Sequence, residues 1–443
     1  MSGRGIGNGR RGVSHRRRFA RGVATVAVVT LVAACGSGSD DDEAASGGEG
    51  SDEPIKIGMV AALTGPVAAY GVQTTNAFKL AVRDINEAGG ILGREVEVEV
   101  VDNQSKPDAV PSLMRQLTSD GANLLIGASS SPVTIVAAQA ADQLKVPLIV
   151  PMEAADAIIG EGRDYVFKVA PSVLSENGWP AQTIRAAKAA AEESGTQPET
   201  ALIIAASTGA YPEAVQAWTR TLEEEWPEVE LLDTISVDEA TTTDFAPLVG
   251  QAESLDPDLL IFGGNPQSAF LFYPALEQSG FVPMATIGVL GGNTNTKFIE
   301  TAGASAVEND IAGNYWTPNL EGEGDYTPQK FFDDYVTEYG EEPDGVGAYY
   351  YATMGLIADA LEAAGTADDP EAIREALQNV EIDGMSGDEH GMFIVNHGVK
   401  FDDTGLNEAA IGLVTQIQDS EYIPVFPEDV AANAIVFPRP GSE

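Results

Sequence analysis

Cysteine, histidine and basic residues are all scarce in this chain of 443 residues. The single cysteine, Cys35, excludes an internal disulfide, a cysteine-ligated zinc cluster and a CxxC redox site. Lysine and arginine together number 24, against 68 aspartates and glutamates. A surface this acidic repels nucleic-acid phosphates, so we expect no nucleic-acid partner.

Common catalytic and cofactor motifs are also missing. The sequence contains no GxSxG, HExxH or GxxxxGK[ST] pattern, no GxGxxG after a strand, and no EF-hand spacing. Histidine occurs only at His15, His390 and His397. The last two leave open a serine triad with residues 129–131, or a metal site with the acids beside His390, but neither satisfies a known spacing. We therefore predict a protein that is not an enzyme and uses no metal or organic cofactor.

The longest apolar runs are too short to span a bilayer as a stable helix. One of them, residues 22–33, follows an arginine-rich start and has the length of a signal-peptide core. It leads into LVAAC at residues 31–35, which is typical of a lipobox. We predict that residues 1–34 are a lipoprotein signal peptide and that Cys35 carries the lipid. The alternative is an unlipidated signal peptide with a chance cysteine.

Residues 36–53 contain no large apolar side chain and are rich in Gly, Ser, Asp and Glu. Such a sequence is flexible and self-repelling. We predict that residues 35–53 form a tether between a membrane anchor and a folded body.

From residue 54 onward, short apolar runs alternate with amphipathic segments, which is typical of an α/β fold. The pattern predicts strands at residues 55–63, 95–101, 124–127, 146–150, 201–205, 231–237, 258–262 and 284–289. It predicts helices at residues 71–88, 182–193, 212–225 and 268–279. These are too many strands for one ordinary sheet, so we predict two doubly wound, Rossmann-like lobes.

Parallel sheets bind ligands at the carboxyl ends of their strands. The corresponding loops are residues 64–71, 128–132, 151–156, 207–211, 263–267 and 289–294, and they are rich in Ser, Thr, Gly, Asn and Tyr. These residue types can bind a polar solute reversibly, although helix capping explains many of them equally well.

Several motifs, taken in order, resemble the leucine/isoleucine/valine-binding family of type I periplasmic binding proteins, the receptors of ABC importers. The motifs are LTGPVAAYG at 63–71, AVRDINEAGGILG at 81–93, LIGASSS at 125–131, VPLI at 146–149, YVFK at 165–168 and FGG at 262–264. The resemblance implies two lobes joined by a three-crossover hinge, with the ligand bound as they close. It implies that lobe 1 comprises residues 54–172 and 315–405, and lobe 2 residues 173–314 and 406–443.

The resemblance also implies ligand-binding positions. In lobe 1, Ser131 with Ser130 matches the serine site for a ligand carboxylate, Tyr70 matches an aromatic wall, and Met152 belongs to the same site. In lobe 2, Tyr211 matches a tyrosine that closes over the ligand, and Asn265 stands where some members have another tyrosine. Ser105 and Ser130 stand where certain members place a disulfide.

Two positions depart from the amino-acid binders that the family includes. The threonine and the acid that fix a ligand ammonium group correspond to Ala154 and Leu290. Leaving an ammonium group without partners in a closed cleft costs several kcal/mol, which puts a standard α-amino acid in doubt. Glu153 could supply the acid instead, or it could be a solvated loop carboxylate or a hydrogen-bond partner at the hinge.

The sequence therefore predicts a monomeric, exported solute-binding lipoprotein on the outer face of the cytoplasmic membrane. Its partners are a small-molecule ligand, such as an amino acid, amide or aromatic acid, and an ABC permease. Two alternatives remain: a ligand-sensing ectodomain on the same fold, and an exported hydrolase.

Overall fold

The structure, a computed structural model, describes residues 53–65, 67–160, 162–320, 327–383 and 398–442. The predicted signal peptide, Cys35 and nearly all of the predicted tether lie outside the described residues, as do His390 and His397. Within the described part of the chain, no helix combines the length and apolar character needed to cross a membrane.

The first sheet contains five parallel strands in the order β2-β1-β3-β4-β5. The strands are β1 (Ile55–Ala61), β2 (Val96–Asp102), β3 (Leu124–Ile126), β4 (Leu148–Val150) and β5 (Val166–Lys168). This order is that of flavodoxin-like doubly wound sheets, whose direction of winding reverses between β1 and β3. The alternating segment at residues 95–101 is the edge strand β2, as predicted.

Helices cover both faces of this sheet. They are α1 (Ala68–Glu87), α2 (Val110–Ser119) and α3 (Ser131–Leu144). Side chains alternate along β1: Ile57 and Met59 join the apolar cluster of α1, whereas Val60 joins that of α2 and α3. Burial on both faces explains why β1 is a nearly continuous apolar run.

The second sheet repeats the same winding and then extends it. Its strands are β6 (Thr200–Ala206), β7 (Glu230–Val237), β8 (Leu259–Gly263), β9 (Ala285–Val289) and β10 (Ile311–Asn314). Its helices are α4 (Trp179–Ser194), α5 (Tyr211–Glu225), α6 (Ala246–Leu255), α7 (Pro266–Ser279), α8 (Phe298–Ala302) and α9 (Ala304–Val307). The parallel part runs β7-β6-β8-β9-β10. The predicted fold class, two doubly wound α/β units, is confirmed.

The rest of the chain is shared between the two sheets. It contains α10 (Pro328–Tyr339), α11 (Gly345–Ala364), α12 (Pro370–Gln378), β11 (Glu381–Asp383), β12 (Gly398–Lys400), β13 (Leu413–Gln418) and β14 (Glu421–Phe426). Helix α11 packs against α1. Strands β13 and β14 add an antiparallel pair to the β10 edge of the second sheet.

We call the first sheet with its helices lobe 1 and the second sheet with its helices lobe 2. The chain crosses between them three times: after β5, after β10, and between β12 and β13.

A fully buried lysine at the end of β5 fixes the backbone where the chain first crosses from lobe 1 to lobe 2. Lys168 Nζ donates to the carbonyls of Ala170 and Pro171 and lies 3.5 Å from Asp156 Oδ1. Asp156 Oδ2 accepts hydrogen bonds from the Ser172 hydroxyl and the Leu174 N–H. Burial lowers the pKa of Lys168, and Asp156 partly opposes this effect. These bonds fix the backbone at the point where the chain leaves lobe 1.

Candidate functional site

The predicted ligand-binding residues all follow the carboxyl ends of strands. Tyr70 lies in the first turn of α1, after β1, and Ser130 and Ser131 lie at the start of α3, after β3, at the switch point of lobe 1. Tyr211 begins α5, after β6, and Asn265 caps α7, after β8, at the switch point of lobe 2. Crevices at such switch points are the usual ligand sites of doubly wound sheets.

Tyrosines from the two lobes meet at Gly291. A Cβ atom placed on Gly291 would lie 2.9 Å from the Tyr70 hydroxyl oxygen and 4.0 Å from the Tyr211 hydroxyl oxygen. Tyr70 belongs to lobe 1, whereas Tyr211 and Gly291 belong to lobe 2. The structure therefore brings the two predicted aromatic walls together across the gap between the lobes.

A close contact between α1 and the loop after β1 places Tyr70 beside Gly291. A Cβ atom on the next residue, Gly71, would collide with the carbonyl group of Ala62. Glycine therefore lets the first turn of α1 lie directly on the loop that follows β1. The Tyr70 ring packs at the edge of the core.

Burial and nearby carboxylates raise the pKa of both phenols. Burial, with smaller contributions from Asp344 and Glu239, raises the pKa of Tyr70 to about 12. Burial raises the pKa of Tyr211 well above its ordinary value, and Tyr315, Tyr70 and Glu239 add to this. A tyrosine of ordinary pKa is already protonated at neutral pH, and these shifts extend that state to higher pH, so both hydroxyls are O–H groups that can donate to an oxygen of a ligand.

The amino terminus of α3 contributes Ser130 and Ser131. Ser130 is the extended residue before the helix, and its carbonyl accepts the N–H of Thr134. Ser131 is the first helical residue, and its hydroxyl lies 3.4 Å from the Ala155 N–H. Pro132 has no N–H, and the N–H groups of Val133 and Thr134 both donate to the Ser130 carbonyl. The helix dipole and the two serine hydroxyls therefore make this end favourable for an anion, such as a carboxylate.

Glu153 lies inside lobe 1 beneath these loops. Its side chain is only 3% exposed, and Oε1 accepts the Ser129 N–H at 2.9 Å and the Tyr350 hydroxyl at 2.7 Å. Ser129 has a positive φ of 68°, and its hydroxyl in turn accepts the Ala62 N–H. The alternative of a solvated loop carboxylate is therefore wrong: Glu153 ties together the loops after β1 and β3.

The remaining predicted positions are apolar or already engaged. Ala154 and Leu290 are buried, Leu290 with a positive φ of 63°, and Met152 packs at the edge of the core. The side-chain oxygen of Asn265 caps α7 by accepting the Ser268 N–H at 3.0 Å. The Ser105 hydroxyl donates to the Thr64 carbonyl at 2.9 Å.

The sequence analysis missed three residues beside the tyrosines. Glu239 follows β7 and accepts the Asn265 N–H at 2.7 Å. Tyr315, after β10, acts on the pKa of Tyr211, and its own pKa is raised by burial. Asp344 caps α11 by accepting the Gly347 N–H, and burial raises its pKa to about 6. No motif marks any of them, because each is brought to the site by a different strand or crossing.

The model of the periplasmic binding protein family matches residues 54–401. This match covers most of the chain. The chain belongs to the periplasmic binding protein family. Membership in this family of non-catalytic solute receptors confirms the prediction of a binding protein rather than an enzyme.

Known proteins resemble this binding protein over most of their length. Leu/Ile/Val-binding protein homolog 8 from Brucella abortus (strain 2308) is 24% identical over 398 residues, covering 87% of this chain and 93% of that protein. These values agree with the resemblance predicted from the sequence motifs.

Solved structures share the fold. The branched-chain amino acid transporter substrate-binding protein LivJ from Streptococcus pneumoniae, in complex with isoleucine, aligns with a TM-score of 0.66 at 21% identity, covering 84% of this chain and 100% of that one. A solute-binding protein of an ABC transporter from Rhodopseudomonas palustris BisB5, in complex with 3,4-dihydroxybenzoic acid, aligns with a TM-score of 0.67 at 19% identity, covering 89% and 100%. At these identities the alignments show a common fold.

Proposed function

We propose that this binding protein is the substrate-binding lipoprotein of an ABC importer and captures an amino acid or a related small polar or carboxylated compound. The observation that carries the proposal is the meeting of Tyr70 and Tyr211 at Gly291, across the two lobes. The amino terminus of α3 supplies an anion site in lobe 1, and the protonated tyrosines supply hydroxyl donors and apolar ring faces.

The proposed mechanism is closure of the two lobes on the ligand. The ligand carboxylate binds at Ser130 and Ser131, and Tyr211 then closes over it from lobe 2. The closed form is the one that docks on the permease. Two similar proteins were solved in complex with isoleucine and with 3,4-dihydroxybenzoic acid. Both ligands are small carboxylated molecules, which supports a ligand of this kind here.

A sensor ectodomain on the same fold is the alternative. It would bind ligand in the same cleft but deliver nothing to a permease. Uptake of labelled ligand by cells that carry the protein, compared with cells that lack it, distinguishes the two functions.

The binding site is tested by replacing Tyr211 with Ala. We expect affinity for the best ligand in an amino acid and carboxylate panel to fall about fivefold to thirtyfold, because a packed aromatic wall contributes about 1 to 2 kcal/mol. Isothermal titration measures the affinity, and solution scattering measures the expected compaction of the wild type on binding. Leu255→Ala, on the exposed end of α6, is the control. Unchanged affinity in Tyr211→Ala would show that the cleft lies elsewhere.

The anchor is tested at Cys35, which we propose is lipidated after signal-peptide cleavage. Cys35→Ala should move the protein from the membrane fraction to the soluble fraction and remove the mass of the lipid. Recovery of this variant in the membrane fraction with the wild-type mass would contradict the anchor.

A further inference from the structure

The second crossing between the lobes runs along the wall of a large cavity. The cavity has a volume of about 670 Å³. Its described lining comes from α10 and the start of α11 in lobe 1, from α8, α9 and β14 in lobe 2, and from the crossing itself. Tyr70, Ser131, Tyr211 and Leu290 are not among the described residues that line it, so it is separate from the cleft. Cavities of this size can hold a small organic molecule.

Two neighbouring residues of the second crossing serve the two places. Tyr315 belongs to the cleft side, where it acts on the pKa of Tyr211. Trp316 lines the cavity, and its ring packs edge-on against Phe331 of α10 with the ring centres 5.4 Å apart. A Cβ atom on Gly345 would lie 2.5 Å from the Tyr315 Cβ atom, so the start of α11 lies directly against the crossing. The crossing and the start of α11 thus form the partition between cavity and cleft.

Hydrogen bonds fix the wall of the cavity on the side of lobe 2. The Thr317 hydroxyl donates to the Tyr422 carbonyl at 3.0 Å, and the side-chain amide of Asn319 donates to the same carbonyl at 3.2 Å. The Tyr422 hydroxyl donates to the Asn293 carbonyl at 2.7 Å. Tyr422 is therefore held through its backbone and through the far end of its ring, and the wall is preformed.

The lining combines apolar surface with negative charge. Its apolar members are Ile299, Trp316, Pro318, Phe332, Pro343 and Tyr422. Three exposed glutamates, which we call the rim carboxylates, come from three elements: Glu300 of α8, Glu342 before α11, and Glu421 of β14. The described residues that line the cavity include no lysine or arginine.

A fourth carboxylate of the lining, Asp344, is buried. It is 6% exposed, and its Oδ1 accepts the Gly347 N–H at 2.9 Å. Burial raises the pKa of Asp344 to about 6, and Glu341 adds to this effect, whereas backbone N–H groups oppose it. The groups that act on this pKa include no lysine or arginine. A cation brought beside Asp344 would therefore stabilise its charged form.

This combination selects one class of ligand. An anion is repelled by the carboxylates, and an inorganic cation leaves the apolar wall unused. A neutral molecule gains nothing from the charge. A compound with a cationic nitrogen and an apolar body uses both, because ammonium groups also bind favourably over the faces of aromatic rings.

We propose that this cavity is a second binding site, separate from the cleft, for a small organic ammonium compound. Its apolar body packs on Trp316, Phe332 and Tyr422, and its cationic group lies among the rim carboxylates and Asp344. The inference does not depend on the proposed function, because the cleft residues do not form this lining.

The test compares cations with neutral molecules of nearly the same shape. Isothermal titration measures the affinity of the purified full-length protein for choline against 3,3-dimethylbutan-1-ol, and for 2-phenylethylammonium against 2-phenylethanol. The salt concentration is about 0.15 M, which screens long-range attraction to the net charge of the protein. We expect at least one cation to bind at least fivefold more tightly than its neutral counterpart.

Variants locate the site. In the double variant Glu300→Gln/Glu342→Gln, the preference for the cation should fall at least threefold. The control Glu223→Gln/Glu224→Gln, on the exposed face of α5, changes the net charge equally and should keep the preference. Tyr211→Ala, which removes a wall of the cleft, should change the affinity for the cation less than threefold.

Three results would overturn the proposal. In the first, neither cation is preferred by the wild type. In the second, the preference is the same in Glu300→Gln/Glu342→Gln and in the wild type. In the third, the preference is lost in Tyr211→Ala and kept in the rim variant, which would place the cation in the cleft. Should the double variant fail to fold, Glu421→Gln against Glu224→Gln repeats the comparison with the third rim carboxylate.

Discussion

Both lobes hold a cleft-facing loop with a buried carboxylate, but they do so in different ways. In lobe 1, Glu153 accepts directly from the backbone N–H of Ser129, the positive-φ residue after β3. In lobe 2, Asp310 accepts from the side chain of Asn293, which lies three residues after the positive-φ residue Leu290 in the loop between β9 and α8. The carboxylate thus acts on the loop backbone in lobe 1 and through another side chain in lobe 2.

The partners of the two carboxylates also differ. Each accepts from a tyrosine hydroxyl at 2.7 Å: Tyr350 for Glu153, and Tyr273 for Asp310. Asp310 has no exposed surface, and burial raises its pKa to about 6 although Asn293 and Tyr273 oppose the shift. Each of these loops contains a residue with a positive φ and is held by a buried carboxylate. Lobe 1 uses a bond to the loop backbone, whereas lobe 2 uses a bond to a loop side chain.

The largest effect in this comparison is expected from Glu153→Ala. The substitution leaves the Ser129 N–H and the Tyr350 hydroxyl without their acceptor in a buried site, which we expect to cost about 3 kcal/mol in the free energy of unfolding. Urea denaturation measures this change. The control Glu97→Ala, on the edge strand β2, should change the free energy by less than about 0.5 kcal/mol. Equal effects of the two substitutions would show that Glu153 anchors nothing.

The second prediction concerns the pH dependence of lobe 2. Because the pKa of Asp310 is raised to about 6 in the folded state, the folded protein binds this proton more tightly than the unfolded chain does. This contribution to stability is therefore absent well above pH 6 and grows as the pH falls through 6 toward the ordinary value for aspartate.

Asp310→Asn removes that contribution while keeping the shape of the side chain. Relative to the variant, we expect the wild type to gain about 1 kcal/mol in the free energy of unfolding between pH 8 and pH 5. Denaturation at several pH values measures the difference. A constant difference across this range would mean that Asp310 does not titrate there.

The smallest effect, a change in ligand affinity, is expected from Glu213→Gln, at a contact between the two lobes near the first crossing. The Asp156 N–H of lobe 1 donates to Glu213 Oε2 of α5 at 3.3 Å, and burial raises the pKa of Glu213. One long, partly exposed hydrogen bond contributes little, so Glu213→Gln should change ligand affinity less than threefold. Isothermal titration against Glu224→Gln as control measures this. A change above tenfold would make this contact a principal determinant of closure.

Much of the fold could be predicted from the sequence because its signals are local. The strands β1, β6 and β8 are apolar runs followed by amphipathic helices, and their alternation specifies parallel pairing. The strands that the analysis missed carry no such signal. Strands β5 and β10 are each followed by a crossing between the lobes rather than directly by a helix, and β13 and β14 pair antiparallel, outside the alternating pattern.

The sequence by itself determined the α/β class, the family motifs and the positions of Tyr70, Ser131 and Tyr211 after the ends of strands, because each of these residues follows its own strand along the chain. Only the tertiary structure decided that Glu153 is buried, that Tyr70 meets Gly291, and that Glu239 accepts the N–H of Asn265. These residues come from different strands of two sheets. Their proximity depends on sheet order and lobe contact, which no local pattern in the sequence records.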